Sequence, residues 1–227
     1  MLLCPNHHWE ATSEAMTPKE QVQHKLHPFN IERNHIHGTL KVNQTAPVIG
    51  IGSSQIVGEG DFIIVDDESL LSIRVNSGRL EVSTKLYDPA GQLIAQIENN
   101  DWVSGDPLPW DLESDYQWLT IHHRKRAIAL DIDARSIPMT LRANLWSKGQ
   151  NFQLDRYQIR YDGVVKNVLF ADLCFVGWQF SVNTSSKVFR WGPPPSSEAA
   201  TMISWPDVNE RIARGLEAWK KLAKKET

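Results

Sequence analysis

What is scarce in this sequence limits its function before any motif is considered. Cys4 and Cys174 are the only two cysteines among 227 residues. Two thiols so far apart make no disulfide framework, and free thiols fit a reducing compartment. A membrane-spanning helix needs roughly 20 apolar residues in succession. The longest apolar run, Leu169 to Phe180, is broken by Asp172 and Gln179. No basic n-region followed by an apolar stretch opens the chain, so no signal peptide is expected, and the expectation is a cytoplasmic protein without a membrane partner. Surplus positive charge is lacking too: 24 Lys and Arg stand against 27 Asp and Glu, a net charge of −3. That balance excludes a global basic field for nucleic acid, so any such binding has to be local.

What is present is ordinary in bulk, with 41% hydrophobic and 22% charged residues, enough for one large domain with short appendages. Period-two alternation dominates residues 31–185, which are expected to form a mainly β domain, an antiparallel sandwich or roll. Leu70–Val75 and Arg79–Tyr87 flank Asn76-Ser77-Gly78. Asp88-Pro89-Ala90-Gly91 reads as a turn, because Pro89 presets φ and Gly91 accepts a positive one. Gln92–Glu98 should return as its hairpin partner. Trp118–His122 and Ala127–Asp133 form a hairpin around Arg124-Lys125, and Thr140–Trp146 and Phe152–Tyr157 flank Lys148-Gly149.

A two-fold internal repeat is suggested within this region. A shift of 59 positions carries Leu71 and Ile73 onto Leu130 and Ile132, Val82 onto Leu141, Leu86 onto Leu145, and Tyr87 onto Trp146. Two similar strand–hairpin units would each give one apolar face to a common core.

The ends read differently. Thr17-Pro18-Lys19-Glu20 is a helix cap, and the short helix it opens must stop near His27, since Pro28 disfavours α geometry before it. Residues 186–206, with Pro193-Pro194-Pro195 and Trp205-Pro206, read as an extended connector. Asp207 then caps a C-terminal amphipathic helix over 207–227, with Ile212, Leu216, Trp219 and Ala223 on one face. Lys220, Lys221, Lys224 and Lys225 fill its last turns, where cations complement the helix dipole.

Six of the eight histidines lie in the first 37 residues: His7, His8, His24, His27, His35 and His37. The opening Leu2-Leu3-Cys4-Pro5-Asn6-His7-His8-Trp9 resembles the back half of the ββα-metal motif of HNH endonucleases, in which a Cys-Pro-x-(Cys/His)-His turn leads into a helix. That resemblance makes residues 1–30 the tail of an HNH-like unit. It implies that His8 stands at the position binding the catalytic Mg²⁺ or Mn²⁺, and that Cys4 and His7 form half of a structural Zn²⁺ knuckle. Imidazole and thiolate are the donors such sites use. By the same resemblance the general-base histidine, the family's Asn and the second Cys-x-x-Cys arm would all precede Leu2. Phosphodiester hydrolysis needs a base for water and a metal on the phosphate. The 227 residues therefore carry at most one ligand of the catalytic metal and no base, and the metal site is expected to be incomplete. DNA becomes a partner only if an upstream half exists.

Other candidates compete with plainer explanations. His35 and His37 share one strand face at a spacing that can bind zinc, but a solvated face is the commoner outcome. His122-His123-Arg124-Lys125-Arg126 is the most basic run. At a hairpin tip it could press on phosphate or simply guard a sheet edge. Asp131 with Asp133, and Asp66-Asp67-Glu68, could bind a hard cation, although no third ligand accompanies either. Trp102, Trp110, Trp118 and Trp146 could stack on sugars or bases, against the commoner role of loop anchors. Two functions follow: a truncated HNH endonuclease-like protein whose β domain recognises something, or a non-enzymatic β-sandwich module binding a glycan or a protein.

Overall fold

The computed structural model describes residues 47–104, 111–115, 117–124, 127–192, 201–204 and 207–224, together with Thr17, Lys19, Leu40 and Lys41. In chain order the strands are β1 (Leu40–Lys41), β2 (Val48–Ile51), β3 (Ser54–Val57), β4 (Gly60–Val65), β5 (Glu68–Asn76), β6 (Arg79–Tyr87), β7 (Leu93–Glu98) and β8 (Asp101–Ser104). Then come β9 (Asp111–Asp115), β10 (Trp118–Arg124), β11 (Ala127–Asp133), β12 (Met139–Ser147), β13 (Gln150–Leu154), β14 (Ile159–Asp162) and β15 (Val168–Phe170). The chain closes with β16 (Leu173–Val176), β17 (Gln179–Asn183), β18 (Val188–Gly192), β19 (Thr201–Ser204) and one helix, α1 (Val208–Ala223). All the strands belong to one hydrogen-bonded network. The protein is mainly β with a C-terminal helix, as the alternation and the Asp207 cap lead one to expect.

Alternation explains the strands. Along β6, Leu80, Val82, Thr84 and Leu86 are buried, while Glu81, Ser83, Lys85 and Tyr87 face outward. Met139, Leu141, Ala143 and Leu145 do the same for β12. Adjacent strands are joined by tight turns with both central residues at positive φ: Asp66-Asp67, Ser77-Gly78 and Lys148-Gly149. Such turns match the right-handed twist of a hairpin. At Asp88 the Gly91 N–H closes the turn on the Asp88 carbonyl at 3.0 Å.

Two antiparallel runs, β4 to β8 and β9 to β15, make most of the sheet. β11 starts at Ala127, 59 residues after β5 at Glu68, and β12 starts at Met139, 60 residues after β6 at Arg79. The runs meet where Tyr87 of β6 pairs antiparallel with Trp146 of β12. These are the residues the 59-residue shift superposes. Antiparallel pairing of a residue with its own equivalent is what a local two-fold axis through that bridge produces.

Three parallel pairings curl the sheet into a roll: β2 with β12, β3 with β16, and β4 with β17. The resulting path β15-β14-β13-β12-β6-β5-β4-β17-β18 is continuous, and its two ends, β15 and β18, share no backbone hydrogen bond among the described residues. Aromatic packing inside the roll joins them instead. Tyr161 stacks on Phe189 at 4.2 Å, and Phe170 meets Trp191 at 5.2 Å between ring centroids. Tyr161, Phe152 and Phe175 are completely buried. Their area makes them the largest apolar contributors to the core, at about 3 kcal/mol each.

α1 lies over β3, β16 and β19, where Ile212, Leu216, Trp219 and Leu222 cover Val48, Val57, Cys174 and Val176. Asp207 accepts from the Glu210 N–H at 2.8 Å, a cap worth about 1 kcal/mol. Arg211 is fully buried at this junction, where it donates through Nη2 to the Ser53 carbonyl at 3.1 Å. Its Nε and Nη1 have no hydrogen-bond partner among the described residues. The stretch 186–206, expected as a connector, holds strands β18 and β19. The Pro193–Pro195 run dominated its composition, whereas Val188–Trp191 and Thr201–Ser204 find partners in β17 and β16 that are visible only in three dimensions.

Candidate functional site

The parallel pairing of β4 with β17 brings the Asp66-Asp67 turn against the turn that follows β17. Asp66 knots this end of the roll. Its carboxylate accepts from the Thr184 N–H at 2.7 Å, the Thr184 hydroxyl at 2.6 Å and Lys148 Nζ at 2.9 Å, while its N–H donates to the Val182 carbonyl at 2.8 Å. Three hairpin tips are thereby tied to one side chain. The Thr184 hydroxyl and N–H, and then Lys148, favour the ionised form and lower the Asp66 pKa to about 2.

Two polar cavities flank this turn. One, of about 500 Å³, lies over β4 to β7 and carries five carboxylates (Asp61, Asp66, Asp67, Glu68 and Glu98) against two cations, Arg74 and Lys85. Most of these groups are engaged with one another. Asp61 accepts from Ser69 at 3.0 Å and pairs with Arg74 at 3.3 Å. Glu68 accepts from Lys85 at 2.7 Å and from the Tyr87 hydroxyl at 3.0 Å. Burial, and next the bond to Glu68, push the Tyr87 phenol up to about 12. Gln96 donates to Glu98 at 2.7 Å. Such partly exposed pairs add little stability individually, but together they fix the wall of the cleft.

The second cavity, of about 400 Å³, lies over β4, β17 and β18. Ile64, Val182 and Val188 give it an apolar component. Its polar groups differ in kind from those of its neighbour. The side chains of Asp67, Gln179, Ser181 and Arg190 have no hydrogen-bond or ion-pair partner among the described residues. A carboxylate, an amide, a hydroxyl and a guanidinium thus offer donors and acceptors to anything that enters. Among the described residues the lining contains neither His nor Cys.

The residues singled out from the sequence fall elsewhere. Cys4, His7 and His8 lie outside the described residues, as do His24, His27, His35, His37, Trp110, Lys125 and Arg126. His122 is half-buried on β10, opposite Asp111 and Ile128, where the ladder shifts register. The β10–β11 hairpin has the expected position, with Arg124 opposite Ala127. Asp131 and Asp133 are committed to neighbours: Asp131 accepts from Thr120 at 2.8 Å and faces Arg142 at 3.9 Å, while Asp133 grips Arg135 at 2.5 Å. No cluster of three or more His, Cys, Asp or Glu suited to a metal occurs among the described residues. Trp118 and Trp146 are half-buried, and Trp102 lies on β8.

Sequence reasoning passed over Gln179, Ser181 and Arg190. Their signal was the outward phase of β17 and β18; reading 186–206 as a connector hid Arg190, while Gln179 and Ser181 fell within the expected β region without being singled out. No described helix is long and apolar enough to cross a membrane. Compared with known protein families, curated proteins and solved structures, the chain matches none.

Proposed function

We propose that the β-rich domain is a non-enzymatic recognition module, and that it holds its ligand in the groove over β4, β17 and β18. One observation carries this reading: four hydrogen-bonding side chains with no partner among the described residues line a cavity of about 400 Å³. Gln179 and Ser181 are half-buried and Asp67 and Arg190 exposed, so a bound ligand would replace the water on these groups with directed hydrogen bonds. The neighbouring cleft serves as the contrast, because both of its cations are already paired, Arg74 with Asp61 and Lys85 with Glu68. In this reading the HNH resemblance of Cys4, His7 and His8 marks a segment that such a module would address to a target.

The test is a screen of the full chain on printed glycan and peptide arrays, followed by titration of each hit. Arg190→Ala and Gln179→Ala should each weaken the hit about tenfold, the loss expected for one hydrogen bond to a charged or buried group. Lys85→Ala, on the self-paired cleft, should leave it unchanged. Hits indifferent to Arg190 and Gln179 would remove the groove from the function.

A further inference from the structure

We infer that the groove's ligand is an extended acidic peptide that adds a strand to the free edge of β18; this rests on the recognition reading above. β18 pairs with β17 along its whole length, from Asn183↔Val188 to Gln179↔Gly192. On its other side no backbone partner is present among the described residues. A five-residue edge with unpaired N–H and C=O groups is a template for a further strand.

The two faces of that edge specify what would pair with it. Outward, Val188 and Arg190 belong to the groove already described, and the Arg190 guanidinium has no partner among the described residues. On the opposite face Trp191 is packed on Trp178 at 5.3 Å and on Phe170 at 5.2 Å, yet it stays 43% exposed. An added strand sends alternate side chains to these two faces. One set meets Arg190 and the other covers the Trp191 ring. The pattern that fits is a carboxylate alternating with an apolar residue.

Charge decides between a foreign peptide and a second copy of this chain. Val188-Phe189-Arg190-Trp191-Gly192 contains one cation and no carboxylate, and Lys187 precedes it. Pairing β18 with itself would set cation against cation across the strands, which is destabilising. An acidic strand meets Lys187 and Arg190 along this edge, while the groove's own carboxylates, Asp66 and Asp67, sit on the turn after β4 rather than on β18.

The probe is a fluorescently labelled peptide of about eight residues, alternating Glu and Val, titrated against the full chain by anisotropy. Its control has the same composition with Glu and Val in two blocks. The alternating peptide should bind saturably and the block peptide about tenfold more weakly. Arg190→Glu should weaken the Glu–Val peptide by at least about tenfold and restore binding to a Lys–Val peptide of the same length. Arg190 is exposed, so the swap leaves the core intact, and circular dichroism checks this. Hydrogen exchange on binding should slow in residues 188–192. Equal affinity for alternating and block peptides would overturn the inference, since it would mean charge attraction without strand pairing. Protection outside β18, or none, would overturn it too. If the Glu–Val peptide does not bind while Gln179→Ala still weakens an array hit, this inference fails alone. If Gln179→Ala and Arg190→Ala change nothing on any ligand, the recognition reading fails with it.

Discussion

Gly52 and Gly149 occupy turns with positive φ, +59° and +76°, and differ in what surrounds them. A Cβ on Gly149 would meet nothing within 4 Å. On Gly52 it would lie 2.2 Å from the Tyr157 carbonyl carbon and 2.5 Å from the Gln158 nitrogen. Those atoms are backbone, held in place because the Ser53 N–H donates to the Tyr157 carbonyl at 3.3 Å and Asp155 Oδ1 accepts from the N–H groups of Tyr157 and Gln158. Alanine at either position costs the left-handed strain of an L-residue, about 1–2 kcal/mol. Gly52→Ala must also displace a hydrogen-bonded loop, an overpacking cost of about 1–3 kcal/mol. The expected losses are therefore about 1–2 kcal/mol for Gly149→Ala and about 2–5 kcal/mol for Gly52→Ala. Urea denaturation followed by tryptophan fluorescence measures both, and the difference isolates the steric part because the φ cost is common to the pair. Equal losses would refute the close approach of the β2–β3 turn to the 155–158 loop, and with it the packing that seats Ser53 at the junction of β3, α1 and β16.

Acid should act through Asp66. Its pKa is lowered to about 2 in the folded chain from an ordinary 3.8, so its contribution is fully present above about pH 4 and is lost as pH falls towards 2. Asp66→Asn should thus be less stable than wild type at pH 6, with the gap closing below pH 3 in a pH series of melting temperatures; a gap independent of pH would contradict this. Arg211→Met should leave stability unchanged or raise it by up to about 2 kcal/mol, because Nε and Nη1 of the buried guanidinium have no hydrogen-bond partner among the described residues; a loss of 3 kcal/mol or more, on the order of that for breaking a buried pair, would show a partner outside them. Burial raises the Cys174 thiol to about 11 despite the nearby Arg211, so it should resist a thiol reagent at pH 8 until the chain unfolds. By the HNH resemblance, which would give His8 a metal-binding role and place the base before Leu2, the 227-residue chain is expected not to nick supercoiled DNA in Mg²⁺ or Mn²⁺; cleavage abolished by His8→Ala would overturn that expectation.

Local chemistry made much of the roll readable in advance. Leu80, Val82 and Leu86 alternate with Glu81, Ser83 and Lys85, so β6 could be assigned from period alone, and Lys148-Gly149 marked a hairpin by its need for positive φ. The 59-residue spacing also showed in the sequence, because both copies keep apolar residues in the same phase. The candidate groove did not. Asp67 sits more than 100 residues before Gln179, and only the parallel pairing of β4 with β17 joins them. Asp66 was legible as an acidic turn, yet its partners Lys148 and Thr184 are 82 and 118 residues away.

The sequence by itself determined the mainly β class, the Asp88–Gly91 and Lys148-Gly149 turns and the capped C-terminal helix, since these depend on side chains a few residues apart, but it did not show β18 or β19. It also determined that no global positive field exists. Tertiary structure alone decided which strands meet, that β18 has only β17 as a strand partner among the described residues, and which polar groups are paired. Parallel pairings between distant segments carry no local signal: the hydrogen bonds are made by a backbone common to every residue, and their register is set by the packing of the whole core.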